Sequence, residues 1–201
     1  MLFFLKTFSG IIHNRQHLYE PYLNIKPNKG QHMTNRTRNY ILNPVAMLFC
    51  GLALGTASRL FDIYSGLLGN IFSELAIWIL IGTLISIYSP TNKKAMLNIL
   101  LFCAGMLASY YTVAIVTNGV YDISYIIGWS LFALLSPFMA YLARLSKRSL
   151  PISKIIGAVI VLASVMSSIV LFDGLRVYDF IIDGLLIYFI FFKKIRSFTS
   201  K

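Results

Sequence analysis

Six long apolar runs follow one another along this chain, and they constrain its fold more than any other feature. They cover residues 41–58, 66–88, 95–116, 123–142, 155–172 and 177–192. A helix needs roughly 17 to 25 mostly apolar residues to cross the hydrocarbon core of a membrane. Because backbone groups in lipid must be hydrogen-bonded internally, each run is expected to be helical. The sequence therefore predicts an all-α integral membrane bundle of six transmembrane helices.

The composition excludes an ordinary soluble domain, with 57% hydrophobic and only 12% charged residues. The formal net charge of +11 could indicate a nucleic-acid partner. However, the basic residues lie in short segments between the apolar runs, where membrane orientation explains them better. We therefore expect the lipid bilayer as a partner and no nucleic acid. Cys50 and Cys103 both lie inside apolar runs, so no disulfide framework is expected.

The positive charges predict the orientation of the bundle. With six spans, all but two of the 18 Lys and Arg residues fall on one side of the membrane, and the exceptions are Arg59 and Arg176. Cytoplasmic loops carry the excess of Lys and Arg in membrane proteins. Both termini are therefore predicted to be cytoplasmic.

Three regions follow from this reading: a cytoplasmic segment over residues 1–40, the membrane domain over residues 41–192, and a basic cytoplasmic tail over residues 193–201. Residues 33–40 already supply a short basic leader, so Met33 is the hypothesised natural start. His13, His17 and His32 all precede it and have no cluster of carboxylate or thiolate ligands nearby. No metal site is expected there.

Two carboxylates lie inside predicted spans. Glu74 and Asp183 are eight and six residues from the outer ends of their runs, at depths of about 12 Å and 9 Å. An ionisable residue in the membrane costs roughly 2.5–3.5 kcal/mol, so it normally faces a partner or a water-filled cavity. Arg176 precedes Asp183 by two helical turns and is the nearest candidate partner.

Other polar and aromatic residues fall at a similar depth, and together they could line an outward-facing vestibule. The candidate site comprises Glu74, Asp183, Arg176, Tyr110, Tyr111 and Trp129. Glu74 and Asp183 would bind a cationic or hydrogen-bond-donating ligand, and the aromatic rings would form walls. The alternative is structural: Glu74 bonds to a neighbouring helix, and Asp183 pairs with Arg176 or Arg59.

Small residues recur at helical spacing in two spans. Gly51 and Gly55 form a GxxxG pattern in the first span, and Ala104 and Ala108 form a similar pair in the third. Such pairs allow close helix packing. Packing within the chain is the default interpretation, and a face for a membrane-protein partner or a second copy is the alternative.

No enzymatic pattern accompanies these features. The sequence contains no glycine-rich phosphate loop, no HExxH and no histidine in any predicted span. We expect neither a catalytic centre nor a cofactor.

Three stretches carry a resemblance to a known family. GNIFSELAIWILIG over residues 69–82, LFCAGMLASYY over 101–111 and SPFMAY over 136–141 resemble an uncharacterised family of small multi-spanning proteins from Gram-positive bacteria. The likeness extends from about Met33 onward. It implies a bacterial plasma membrane and no particular activity.

Two functions remain open. The leading hypothesis is binding or transport of a small solute through the outer half of the bundle. The alternative is a structural or regulatory subunit that packs against another membrane protein through one of the small-residue faces.

Overall fold

The computed structural model describes residues 42–119, 123–148, 150–172 and 174–193. Every described residue belongs to one compact unit, Arg38–Lys201. The hypothesis about Met33, the three histidines and all of the predicted basic tail except Lys193 lie outside the described residues.

The described residues form seven α-helices followed by one π-helical turn. The helices are α1 (Pro44–Tyr64), α2 (Gly66–Ser73), α3 (Leu75–Tyr88), α4 (Asn92–Val116), α5 (Ile123–Leu145), α6 (Pro151–Phe172) and α7 (Val177–Ile187), and the π-helical turn is Tyr188–Phe192. The all-α prediction is therefore confirmed.

Local sequence signals explain where several helices begin. The Asn43 side chain accepts from the Val45 N–H at 3.2 Å, and Pro44 occupies the first turn of α1, where a missing N–H costs nothing. Thr91 caps α4 in the same way, accepting from the Lys94 N–H at 3.2 Å. α1 continues past the predicted end of the first span, so that Arg59 and Asp62 lie in its last turns.

Four described helices, α1, α4, α5 and α6, are long and apolar enough to cross a membrane. The pair α2 and α3 makes a fifth candidate if the two helices are one broken span. Many large apolar side chains on α5 and α6 are exposed, including Leu134 and Val170. A soluble protein rarely exposes such surfaces. These lengths and surfaces indicate a membrane protein.

The predicted span over residues 66–88 is not one continuous helix, which corrects the sequence-based expectation. It breaks at Glu74, where the backbone is extended, and α2 and α3 are bent by 61°. The Trp78 indole N–H donates to the Phe72 carbonyl at 2.8 Å, satisfying an acceptor freed by the break. The Phe72 ring also contacts Trp78 edge-on at 5.9 Å. Non-helical backbone at this position is thus held by side chains of the same segment.

The predicted sixth span is helical but is not one regular α-helix. α7 has 11 residues and ends in the five-residue π-helical turn. Neither piece reaches membrane length by itself, so the count of six spans remains a prediction. A hydrogen bond shows why the last turn is π-helical. The Lys193 N–H donates to the Tyr188 carbonyl, five residues back, whereas an α-helix would use the carbonyl four residues back.

The small-residue pattern of α1 is used inside the chain. Gly51 and Gly55 are buried against α4, and a Cβ on either would overlap the backbone carbonyl of Phe102 or Met106. From the other side, a Cβ on Gly105 would lie 2.6 Å from the Leu48 carbonyl oxygen. These glycines allow the backbones of α1 and α4 to approach closely.

The short helix α3 contacts five others: α2, from which the break separates it, and α4, α5, α6 and α7. One face belongs to an apolar cluster with Phe102 and Met106 of α4. Its other face packs on α7, where Ala76 and Leu80 meet Leu186. Because α3 packs along α7, the helix break that precedes α3 lies against the start of α7.

Two basic side chains near the end of α5 cap other helices. Arg144 donates to carbonyls at the end of α3, including that of Ser89. Lys147 donates from Nζ to the carbonyls of Ile190 and Lys193, both at 2.8 Å. Cations are favourable at helix C-termini because the last carbonyls have no partner within the helix. Both residues therefore stabilise the bundle in addition to marking its predicted orientation.

Candidate functional site

Asp179, a buried acidic residue, is held in place at the start of α7. Arg176 is the residue before the helix, and its backbone N–H donates to Asp179 Oδ2 at 2.8 Å. An acidic residue in the first turn satisfies a free N–H and favours the positive end of the helix dipole. This bond holds Asp179 against the bundle, where it is fully buried.

Glu74 meets α7 from the helix break. Its Oε1 accepts from Arg176 Nη1 at 3.1 Å and from the Tyr178 hydroxyl at 2.8 Å. Arg176 Nη1 also contacts the Tyr178 hydroxyl oxygen at 2.6 Å. Glu74 is fully buried, whereas the Arg176 side chain is 41% exposed. The Tyr178 hydroxyl and the Glu74 carboxylate raise the pKa of Arg176, so it remains a fixed positive charge.

Asp183 lies one turn beyond Asp179 on the same face of α7. Its Oδ1 accepts from the Ser164 hydroxyl of α6 at 2.6 Å, and both side chains are buried. The predicted pairing of Asp183 with Arg176 or Arg59 is therefore wrong. Arg176 turns instead toward the helix break, and Arg59 binds Asp62 at 2.7 Å.

Ser168 lies one turn beyond Ser164 on α6. Because α6 and α7 are joined by a short loop and run antiparallel, the Ser164–Asp183 bond places Ser168 level with Asp179. Ser168 is fully buried, and its hydroxyl oxygen has no hydrogen-bond partner.

We refer to this group as the acidic centre. It comprises Glu74, Ser164, Ser168, Arg176, Tyr178, Asp179 and Asp183. Two of its carboxyl oxygens, Glu74 Oε2 and Asp179 Oδ1, are buried without a hydrogen-bond donor. Both carboxyl groups contact Arg176, Glu74 through the guanidinium and Asp179 through the backbone N–H. The centre thus has three buried carboxyl groups and one arginine, which contacts Glu74 and Asp179 but not Asp183.

Tyr110 and Tyr111 belong to a different cluster, so the structure divides the predicted vestibule residues. The Tyr110 hydroxyl donates to Asp62 Oδ2 at 3.1 Å, and the Arg59 guanidinium lies 5.7 Å from the centre of the Tyr110 ring. Tyr111 stacks edge-on against Tyr110 at 5.3 Å. This second cluster joins the end of α1 to α4.

Trp129 is the remaining predicted wall residue. It contacts Phe132 edge-on at 6.0 Å and packs against the apolar cluster of α3, α4 and α5. Because these neighbours are apolar, Trp129 contributes to packing in the structure.

The small-residue pairs have different environments. Gly51 and Gly55 are buried between α1 and α4, whereas Ala104 and Ala108 are exposed on α4. Gly105, and not Ala104 or Ala108, is the α4 residue that contacts the α1 backbone.

Sequence reasoning missed Ser164, Tyr178 and Asp179 as members of the site. By position in the chain alone, Asp179 resembles a loop carboxylate, and Tyr178 resembles a residue that anchors the end of a span. A signal was present: Asp179 and Asp183 are four residues apart on one helix, and Ser164 and Ser168 have the same spacing on the helix before it. Within the described residues, no group of three His, Cys, Asp or Glu side chains could hold a metal ion.

The comparisons with known proteins give one match. Residues 34–183 match the model of a family described as "Family of unknown function (DUF6518)". The comparison with curated proteins gave no match, and neither did the comparison with solved structures.

Proposed function

Because the chain belongs to this family of unknown function, its membership assigns no activity, and we propose from its contacts that it binds and transports a cationic solute. The solute would be an ammonium-type cation that donates hydrogen bonds to Glu74, Asp179 and Asp183 at the acidic centre, since these carboxyl groups do not form a site for a metal ion. The observation that carries the proposal is the excess of buried acidic groups over basic ones there.

The charge balance supports a cationic ligand. Arg176 contacts only one oxygen of Glu74, and its side chain is partly exposed. Asp183 receives only a neutral hydroxyl donor. Since a charged group inside a membrane is expensive without a counter-charge, the centre as it stands favours an added positive charge.

The helix break supports a site at this position. Non-helical backbone at membrane depth is tolerated where it is buried in protein or lines a cavity. In transporters, broken helices commonly form the binding site, because their ends leave polar backbone groups free. Here the break at Glu74 and the start of α7 at Arg176 meet in one place.

The proposal includes the membrane arrangement. The protein has six spans, with α2–α3 as a broken second span and α7 with its π-helical turn as the sixth. Both termini are cytoplasmic in a bacterial plasma membrane, as the distribution of Lys and Arg favours. The acidic centre then lies toward the outer side, where an external cation reaches it first.

A binding experiment tests this function. Thermal unfolding of the purified protein in detergent is measured with ammonium or methylammonium chloride, with choline chloride matching the ionic strength. A cation that binds the folded state raises the melting temperature as its concentration increases. The shift should disappear in Asp183→Asn and Glu74→Gln but persist in the matched control Asp62→Asn. Equal shifts in all four proteins would contradict a site at the acidic centre.

The alternative function, a structural or regulatory subunit, rests on one observation. The Ala104 and Ala108 face of α4 is exposed, whereas the Gly51 and Gly55 face is already occupied by packing within the chain. A second copy is the simplest partner for such a face. Cysteine substitution at Ala104, in a background without Cys50 and Cys103, should then give disulfide-linked dimers in membranes. Substitution at buried Gly105 provides the negative control.

A further inference from the structure

The acidic centre leaves two oxygens without a donor. Glu74 uses Oε1 for Arg176 and Tyr178, and Asp179 uses Oδ2 for the Arg176 backbone N–H. The other oxygen of each carboxyl group, Glu74 Oε2 and Asp179 Oδ1, is buried and unpaired. Because buried polar atoms nearly always have partners, these two oxygens require an explanation.

The groups facing this pair provide no donor for it. From the start of α7, Arg176 and Tyr178 both donate to the opposite oxygen of Glu74. Asp183 can only accept when ionised, and it already binds Ser164 of α6. Ser168, the remaining polar group at this level, has no partner within hydrogen-bonding range. The described residues therefore leave three sources for a donor: the pair itself, a bound water or a ligand.

A single proton resolves both unpaired oxygens. A protonated carboxyl group has one O–H donor, and an ionised carboxylate has only acceptors. Arg176 holds both carboxyl groups at the start of α7, Glu74 through its guanidinium and Asp179 through its backbone N–H, and the second oxygen of each is buried beside them. One proton held between them gives Glu74 Oε2 and Asp179 Oδ1 a common hydrogen bond and removes one of two adjacent negative charges.

We propose that Glu74 and Asp179 share one proton and that a cation entering the acidic centre displaces it, so that the protein exchanges protons for its solute. The exchange of this proton for a cation rests on the proposed function, whereas the shared proton does not depend on it. One monovalent cation enters as one proton leaves, and no bond other than the carboxyl O–H is broken. The net charge of the buried centre is the same before and after.

Ser168 adds a neutral ligand to the exchange. Its hydroxyl oxygen is fully buried, unpaired and level with Asp179. An ammonium group that replaces the proton can donate hydrogen bonds to this oxygen and to the two released carboxylate oxygens. A proton held between the two carboxyl groups does not bind this hydroxyl, so Ser168 is unpaired in the structure.

Infrared spectroscopy of the purified protein tests the shared proton without any ligand. Wild type should show the C=O band of a protonated carboxyl group at neutral pH, in choline buffer. The band should be lost in both Glu74→Gln and Asp179→Asn, since either amide supplies the missing donor. It should persist in Asp62→Asn. Absence of the band in wild type, or its survival in both amide variants, would overturn the shared proton.

Both amide variants are designed to fold. Gln at position 74 keeps an acceptor for Arg176 and Tyr178, and Asn at position 179 keeps one for the Arg176 N–H. Their melting temperatures should equal or exceed that of wild type. A large loss of stability in both variants would mean that each side chain is ionised, and this result would also contradict the proposal.

Proton release tests the exchange. Each chloride salt used above is added to weakly buffered protein, and release is followed with a pH indicator. About one proton should leave per cation bound. The apparent Kd should therefore fall about tenfold for each unit by which the pH is raised. Binding without release would overturn the exchange while leaving the proposed function intact. No binding by either cation would overturn both the proposed function and the exchange.

Discussion

The Arg176 guanidinium donates to the Glu74 carboxylate at 3.1 Å, although 102 positions separate the two residues. Glu74 stands at the break between α2 and α3, and Arg176 stands immediately before α7. The ion pair therefore joins the break between α2 and α3 to the residue that precedes α7. It also supplies the only guanidinium that contacts a carboxylate of the acidic centre in the described residues.

Replacing Arg176 by Met should destabilise the protein through Glu74. The change leaves a fully buried carboxylate with only the Tyr178 hydroxyl as a donor. Because Arg176 is partly exposed, the expected loss is modest, about 1–2 kcal/mol of unfolding free energy. Chemical unfolding in detergent measures it. Arg148→Met, at an exposed loop position, is the matched control. In the Glu74→Gln background the effect of Arg176→Met should shrink, and full additivity would contradict direct coupling.

The glycines of α1 should tolerate no side chain. In Gly51→Ala and Gly55→Ala the new Cβ meets a backbone carbonyl of α4, which cannot move aside as a flexible side chain would. We expect a loss of about 1–3 kcal/mol for each variant, since overpacking forces the helices apart. A Cβ added at Gly128 of α5 would have nothing within 4 Å, so Gly128→Ala should stabilise by up to about 1 kcal/mol. Thermal unfolding compares the three, and similar behaviour of all three would contradict the packing.

The Trp78 indole should hold the helix break. Trp78→Phe keeps an aromatic ring but leaves the Phe72 carbonyl without its donor, at a cost of about 1–3 kcal/mol. Trp129→Phe is the natural control, because Trp129 packs against apolar side chains. Thermal unfolding of both variants tests the difference. A larger loss at position 129 than at 78 would show that the indole N–H contributes little to the break.

Cysteine labelling should establish the proposed orientation. In a background without Cys50 and Cys103, single cysteines replace Tyr64 at the exposed end of α1 and Arg148 after α5. An impermeant maleimide added to intact cells should label position 64 and leave position 148 unmodified until the membrane is opened. The reverse pattern would place the termini outside. Labelling of both positions from outside would contradict the assumed number of spans.

The part of the fold that the sequence could predict, the positions of the helices, follows from hydropathy. Lipid selects for apolar side chains residue by residue, so all six predicted runs are helical over most of their length. The break at Glu74 was not visible in that pattern. It depends on a carbonyl at Phe72 being satisfied by Trp78, and on Glu74 finding donors on another helix. A window of apolar residues contains no information about such bonds.

The sequence by itself determined the helical class, the approximate helix positions and the presence of buried carboxylates at Glu74 and Asp183. Only the tertiary structure decided that Arg176 pairs with Glu74, that Asp183 binds Ser164, and that Tyr110 joins Asp62 in a separate cluster. The physical reason lies in the range of the interactions. Transfer into lipid depends on each residue and its neighbours in the chain, whereas an ion pair depends on which helix faces meet.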